Sequence, residues 1–98
     1  MKILWLSDAR QDLKNLFLYI LERNPAAARR IRGRIYLAVQ GLADSPNIGR
    51  PGRVFGTREL VISQTSYIVA YRVRNDTVEI LRVIHGARDW EQAFKDDP

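Results

Sequence analysis

The chain contains no cysteine and one histidine, His85. The first absence excludes disulfides and thiolate metal sites and is compatible with a reducing cytoplasm. The second argues against a zinc centre, which ordinarily draws on several His or Cys ligands. Neither a metal nor a cofactor is expected. No apolar run approaches the roughly 20 residues that span a bilayer, and the opening Met1-Lys2-Ile3-Leu4-Trp5-Leu6-Ser7 is too brief an apolar stretch for a signal peptide. The expectation is a cytoplasmic protein with no membrane partner. Internal repeats and low-complexity tracts are also missing.

What is present fits one domain. The 98 residues suffice for a single core and not for two, so residues 1–98 are read as one unit. An apolar content of 46% is ordinary for a globular protein. The formal net charge is +5, and its distribution is uneven. Residues 1–49 carry eight Lys/Arg against four Asp/Glu, residues 50–74 five against one, and residues 75–98 three against six. This is a local basic surface rather than a general nucleic-acid coat.

Residues 2–6 are apolar and short, as a first strand would be. Ser7 offers a helix N-cap, with Asp8 well placed at the positive end of the dipole. Leu13, Leu16, Phe17, Ile20 and Leu21 then recur at three- and four-residue steps, predicting a helix over about 8–22. Asn24-Pro25 closes it and starts another, with Asn24 as N-cap and Pro25 at the first helical position. Ala28, Ile31, Ile35, Val39 and Leu42 share one face of that second helix, so a helical hairpin is expected. Asp44 to Gly56 holds three glycines and two prolines and reads as a loop without regular structure. Strands are expected over Thr57–Ser63, Tyr67–Arg74 and Thr77–His85, joined by Gln64-Thr65-Ser66 and by a tight Asn75-Asp76 turn. Strict alternation along the last two predicts an antiparallel sheet with one helix-covered face. Residues 87–95 allow one short helical turn. The plan is α+β, in the order β-α-α-β-β-β.

Four features could carry chemistry or contacts. Arg50, Arg53, Arg58, Arg72, Arg82 and Arg88 lie on strands or their connections together with Tyr67, Tyr71 and His85. Arginines hold phosphates bidentately and aromatics stack on bases. RNA cleavage by 2′-hydroxyl attack needs a base, an acid and a cation for the phosphorane charge, and His85 with Arg88 supplies part of such a set. A lone histidine at a strand end, however, is more often structural. Gly49-Arg50-Pro51-Gly52-Arg53 is no phosphate loop, for the Gly-Lys-Ser/Thr is absent. It reads first as a rigid connector and second as a partner contact. Arg30 and Arg34, with Arg29 and Arg32, give the second helix a basic face that is either solvated or covered by a partner. Glu59 beside Arg58 suggests a solvated cross-strand ion pair. Trp5 and Trp90 are read as core or rim aromatics.

In combination these residues resemble a known family. Gly49-Arg50-Pro51-Gly52-Arg53, Gly56-Thr57-Arg58-Glu59-Leu60-Val61-Ile62, Tyr67-Ile68-Val69-Ala70-Tyr71-Arg72-Val73 and Glu79-Ile80-Leu81-Arg82-Val83-Ile84-His85-Gly86-Ala87-Arg88 look like the C-terminal half of RelE/ParE-type toxins. Ala9, Asp12-Leu13, Tyr19-Ile20 and Asn24-Pro25-Ala26-Ala27 resemble their helical hairpin. The match covers roughly residues 3–90. It implies the toxin of a type II toxin–antitoxin pair, neutralised by a cognate antitoxin through which the complex reaches operator DNA. ParE-like members poison DNA gyrase; RelE-like members cut messenger RNA in the ribosomal A site. RelE-like nucleases carry basic residues where this chain, aligned on Tyr67, has Glu59, Val61 and Ile68. Only Arg88 falls on such a position. The resemblance therefore implies gyrase poisoning, with a ribosome-dependent mRNA endoribonuclease using His85 and Arg88 as the alternative. Arg30, Arg34, Arg50, Arg53, Arg58, Arg72 and Arg82 are the candidate contacts to target or antitoxin.

Overall fold

A computed structural model describes residues 1–86. Its elements run β1 (Lys2–Trp5), α1 (Ser7–Leu21), α2 (Pro25–Gly41), β2 (Arg50–Pro51), β3 (Arg58–Val61), β4 (Tyr67–Arg74) and β5 (Thr77–His85). The strands form one sheet in the order β1-β5-β4-β3-β2. β1 runs parallel to β5, and the other pairs are antiparallel. The α+β plan and the helical hairpin are as expected. The short helical turn expected at 87–95, with Arg88 and Trp90, lies outside the described residues.

The start of α1 differs in detail from expectation. Leu6 holds the N-cap position without a side-chain cap, and Ser7 is already helical. Leu6 cannot leave the sheet sooner, because its N–H still donates to the Ile80 carbonyl at 3.0 Å. The α2 start is as read: Asn24 Oδ1 accepts from Ala27 N–H at 3.1 Å, and Pro25 follows where a missing N–H costs nothing. Ala9, Leu13 and Leu16 of α1 and Ile35, Val39 and Leu42 near α2 pack with Val69, Tyr71, Val78, Ile80 and Val83 in one core. The Asn75-Asp76 turn has both residues at positive φ, 53° and 60°, the geometry that lets a two-residue connection follow the strand twist.

Three expectations need correcting. The 44–56 segment is not wholly irregular: Arg50 and Pro51 pair with Glu59 and Arg58 as a two-residue edge strand. An edge tolerates proline, since its missing N–H can face away from the ladder. The strand expected over Thr57–Ser63 shortens to Arg58–Val61. Thr57 is drawn into the preceding turn by its N–H and hydroxyl, both donated to Val54 O. Thr65 pulls Ile62 O into the following turn in the same way.

The third correction is to the strict alternation of β5. Ala70 pairs with Arg82 but Tyr71 with Ile80, leaving Leu81 as an extra residue at a bulge. Val78, Ile80 and Val83 therefore share the helix-side core, while Ile84 joins Ile68 and Ala70 in a second buried cluster. The face away from the helices is accordingly not simply solvated: it also carries the buried carboxylates Glu59 and Glu79.

Candidate functional site

The sequence placed six arginines near one another on the sheet. The five that the structure describes are each bound to the protein itself. Arg50 Nε and Nη2 donate to Glu59 Oε1 at 3.2 and 3.0 Å, and Glu59 Oε2 accepts the Arg53 backbone N–H at 3.0 Å. The cross-strand pair expected of Glu59 forms, with Arg50 opposite it in register, but it is not solvated: Glu59 is 3% exposed and both its oxygens are satisfied. Arg58 Nη1 donates to the carbonyls of Asn47 and Gly49 at 3.3 and 2.8 Å.

Arg72 and Arg74 grip Glu79, at 2.6 and 3.3 Å. The hydrogen bond and charge of Arg72, with Arg74 behind it, hold the Glu79 carboxyl below the ordinary carboxylate range against the opposing effect of burial. Arg82 forms a fork on Asp12 of α1, with Nε to Oδ2 at 2.7 Å and Nη2 to Oδ1 at 2.9 Å. The same Oδ2 accepts the Val83 N–H at 3.0 Å. Asp12 therefore closes the margin of β5 just past the end of β1. Nothing in the local sequence marks this contact, which spans 70 residues.

Tyr71 is also internal. Its ring is fully buried; its hydroxyl accepts from Gly49 N–H at 2.9 Å and donates to Pro46 O at 2.7 Å. Burial raises its pKa, partly offset by the Gly49 bond and the Arg58 charge. The Gly49–Arg53 segment is thus anchored from the core, as the connector reading expected.

Two of the candidate residues meet where β4 begins and β5 ends. Tyr67 and His85 face each other in register, with rings 5.6 Å apart and nearly perpendicular. They border a cleft of about 370 Å³ with Asp12, Asn15, Leu16 and Tyr19 of α1 and Val83. Arg88 lies outside the described residues. The cleft holds an imidazole and two phenols; of the described guanidiniums beside it, Arg82 is held by Asp12, and Arg23 lies 3.7 Å over the Tyr19 ring and donates to the Tyr19 carbonyl. Among the described residues no group of three or more His, Cys, Asp or Glu is placed to hold a metal ion.

A second surface lies on the helical side. Leu4, Trp5, Leu13, Phe17 and Tyr36 line an apolar groove of about 540 Å³ rimmed by Arg10, Lys14 and Arg32. Arg32 lies 4.1 Å over the Phe17 ring, and Trp5 and Tyr36 pack at 5.4 Å. Of the two α2 arginines singled out from sequence, Arg30 is exposed and Arg34 partly buried. The groove was missed because its wall comes from three elements.

These features, a helical hairpin on one face of a five-stranded mixed sheet with its sheet arginines tied internally, define a small toxin of the RelE/ParE superfamily. A family model described as the ParE toxin of the type II toxin–antitoxin system parDE matches residues 3–90. The chain belongs to this family. It is 44% identical over 93 residues to Y4kP of Sinorhizobium fredii, covering 95% of this chain and 96% of that protein. To toxin RelE1 of Caulobacter vibrioides it is 32% identical over 80 residues, covering 80% and 85%. Among solved structures, a chromosomal ParDE system from P. aeruginosa matches with a TM-score of 0.79 at 25% identity, covering 87% of this chain and 95% of that one. The toxin–antitoxin complex RelBE2 from Mycobacterium tuberculosis matches at 0.58 and 27%, covering 86% and 95%. Among the described residues no helix is long and apolar enough to cross a membrane.

Proposed function

We propose that this type II toxin arrests growth in the cytoplasm by poisoning DNA gyrase, and that a cognate antitoxin neutralises it. The observation that carries the reading is the internal commitment of the sheet's charge. A nuclease must present cations to a scissile phosphate and to the charge developing on it. Here Glu59 is buried and ion-paired, Ile68 belongs to a buried cluster, and Val61 is an exposed apolar residue. Arg50, Arg72 and Arg82 are held by carboxylates. A protein target asks for shape and surface charge instead. The family match and the higher structural similarity to a ParDE system support the same choice.

The antitoxin fits the groove beside α1 and α2. An apolar floor rimmed by Arg10, Lys14 and Arg32 suits an amphipathic acidic segment, and operator DNA is then reached only through that partner. A ribosome-dependent endoribonuclease is the second reading, favoured by the Tyr67–His85 cleft alone. The deciding experiment sets purified protein against gyrase and against translating ribosomes. Inhibited supercoiling or trapped cleaved DNA is expected, with no A-site cleavage. A-site cleavage by the wild type, lost by about 100-fold or more in His85→Ala, would sink the gyrase reading.

A further inference from the structure

Phe55 lies fully exposed at the tip of the turn between β2 and β3, with Val54 of the same turn also exposed. Single exposed apolar residues are common and need no explanation; a large aromatic held out by a built turn does. Gly52 N–H donates to Thr57 O at 2.8 Å, and Thr57 N–H returns to Val54 O at 3.1 Å. The Thr57 hydroxyl adds a 2.6 Å bond to that carbonyl, and Gly56 at φ +83° supplies a left-handed bend that a side chain would resist. The Glu59 carboxylate fixes the turn's entry through the Arg53 N–H. The ring is therefore displayed on backbone already ordered, so docking it costs little further conformational entropy.

We infer that Phe55 is an anchor by which the toxin engages the protein it poisons, entering an apolar pocket rimmed by carboxylates. This rests on the toxin reading but not on gyrase being the target. Charge selects an acidic partner, since Arg50, Arg53 and Arg58 outnumber Glu59 around the turn. A protein is favoured over a nucleic acid because the exposed Phe55 and its neighbour Val54 offer apolar area that a phosphate surface does not reward. Aromatic anchors flanked by arginine are the side chains that dominate protein interfaces.

The test induces wild type, Phe55→Ala, Phe55→Asp and Phe55→Trp at matched soluble levels and measures growth arrest. Each purified protein is also assayed for thermal stability, for supercoiling inhibition and for binding to a labelled DNA duplex. Phe55→Ala and Phe55→Asp are expected to need about 10-fold more protein or greater to arrest growth, with unchanged melting. Phe55→Trp, which keeps an aromatic body, retains arrest. Full arrest by Phe55→Ala overturns the anchor. So does a lowered melting temperature, which would show the ring packed, or a matching loss of duplex binding, which would make the partner a nucleic acid. The two readings fail separately. Wild type that arrests growth without touching supercoiling removes gyrase and leaves the anchor to the growth comparison. Equal supercoiling inhibition by wild type and Phe55→Ala removes the anchor and leaves gyrase.

Discussion

At the scale of single residues, two internal contacts decide how the loop after α2 meets the sheet. Tyr71→Phe would keep the ring and delete both hydroxyl bonds, stranding the Gly49 N–H in a buried site. A buried donor left unpaired costs about 1–3 kcal/mol, and urea unfolding should show a loss of that size with an unchanged slope. Gly49→Ala should cost at least as much. A Cβ there would stand 2.6 Å from the Tyr71 hydroxyl oxygen and 3.0 Å from the Glu59 carbonyl, and neither a fully buried ring nor a strand backbone yields readily. Glu79 gives a pH signature. Its folded pKa lies below the ordinary carboxylate value because Arg72 and Arg74 favour the ionised form. The stability this contributes is present above the unfolded value of about 4.3 and is lost as pH falls through the depressed folded value. Glu79→Gln should flatten the acid limb of a melting-temperature profile and leave the shape above pH 5 unchanged. An acid limb identical to wild type would show the pairing to be thermodynamically idle.

Between elements, the contact that ties the hairpin to the sheet is Asp12 with Arg82 and the Val83 N–H. It sits where β1 has ended and β5 would otherwise expose a free ladder edge. Asp12→Ala should destabilise by about 1.5–3 kcal/mol, the range for a hydrogen-bonded charge. In a double-mutant cycle Arg82→Ala should add little more, because the pair acts as one unit; simple additivity would refute the clamp. This contact also shows where sequence stops informing. The hairpin was legible because burial follows a 3.6-residue period that Leu13, Leu16, Ile35 and Val39 display directly, and Asn24-Pro25 has a local mechanism. β4, β5 and the Asn75-Asp76 turn were legible for the same kind of reason. The bulge at Leu81 was not, because an inserted residue leaves the apolar pattern plausible on either face. β2 was hidden by Pro51, and the burial of Glu59 by a partner nine residues away in an apparent loop. The Tyr67–His85 pair could be guessed from strand register, whereas the Asp12–Arg82 pair required the fold.

Over the whole molecule, the net charge of +5 is partitioned between two uses. On the sheet, Arg50, Arg72, Arg74 and Arg82 are paired with carboxylates. On the helical side, Arg10, Lys14 and Arg32 rim an apolar groove whose lining, among the described residues, includes no Asp or Glu. Long-range attraction should therefore be strongest at the groove, where an acidic antitoxin segment is proposed to lie. Charge reversal belongs at Arg10 and Lys14, which are exposed on α1, rather than at Arg34, whose Nε is buried with no hydrogen-bond partner among the described residues and whose replacement would mix folding with binding. Arg10→Glu with Lys14→Glu should weaken antitoxin binding about 10-fold or more at low salt, chiefly through slower association. The deficit should shrink as salt rises, since exposed charges are screened over about 10 Å at 0.1 M. Raised salt should likewise weaken the wild-type complex but not dissolve it, because burial of Trp5, Phe17 and Tyr36 is insensitive to screening. Surface plasmon resonance over a salt series reads both effects. Antitoxin affinity that ignores both salt and the double reversal would move the partner off this groove, and with it the assignment of the helical side as the neutralising surface.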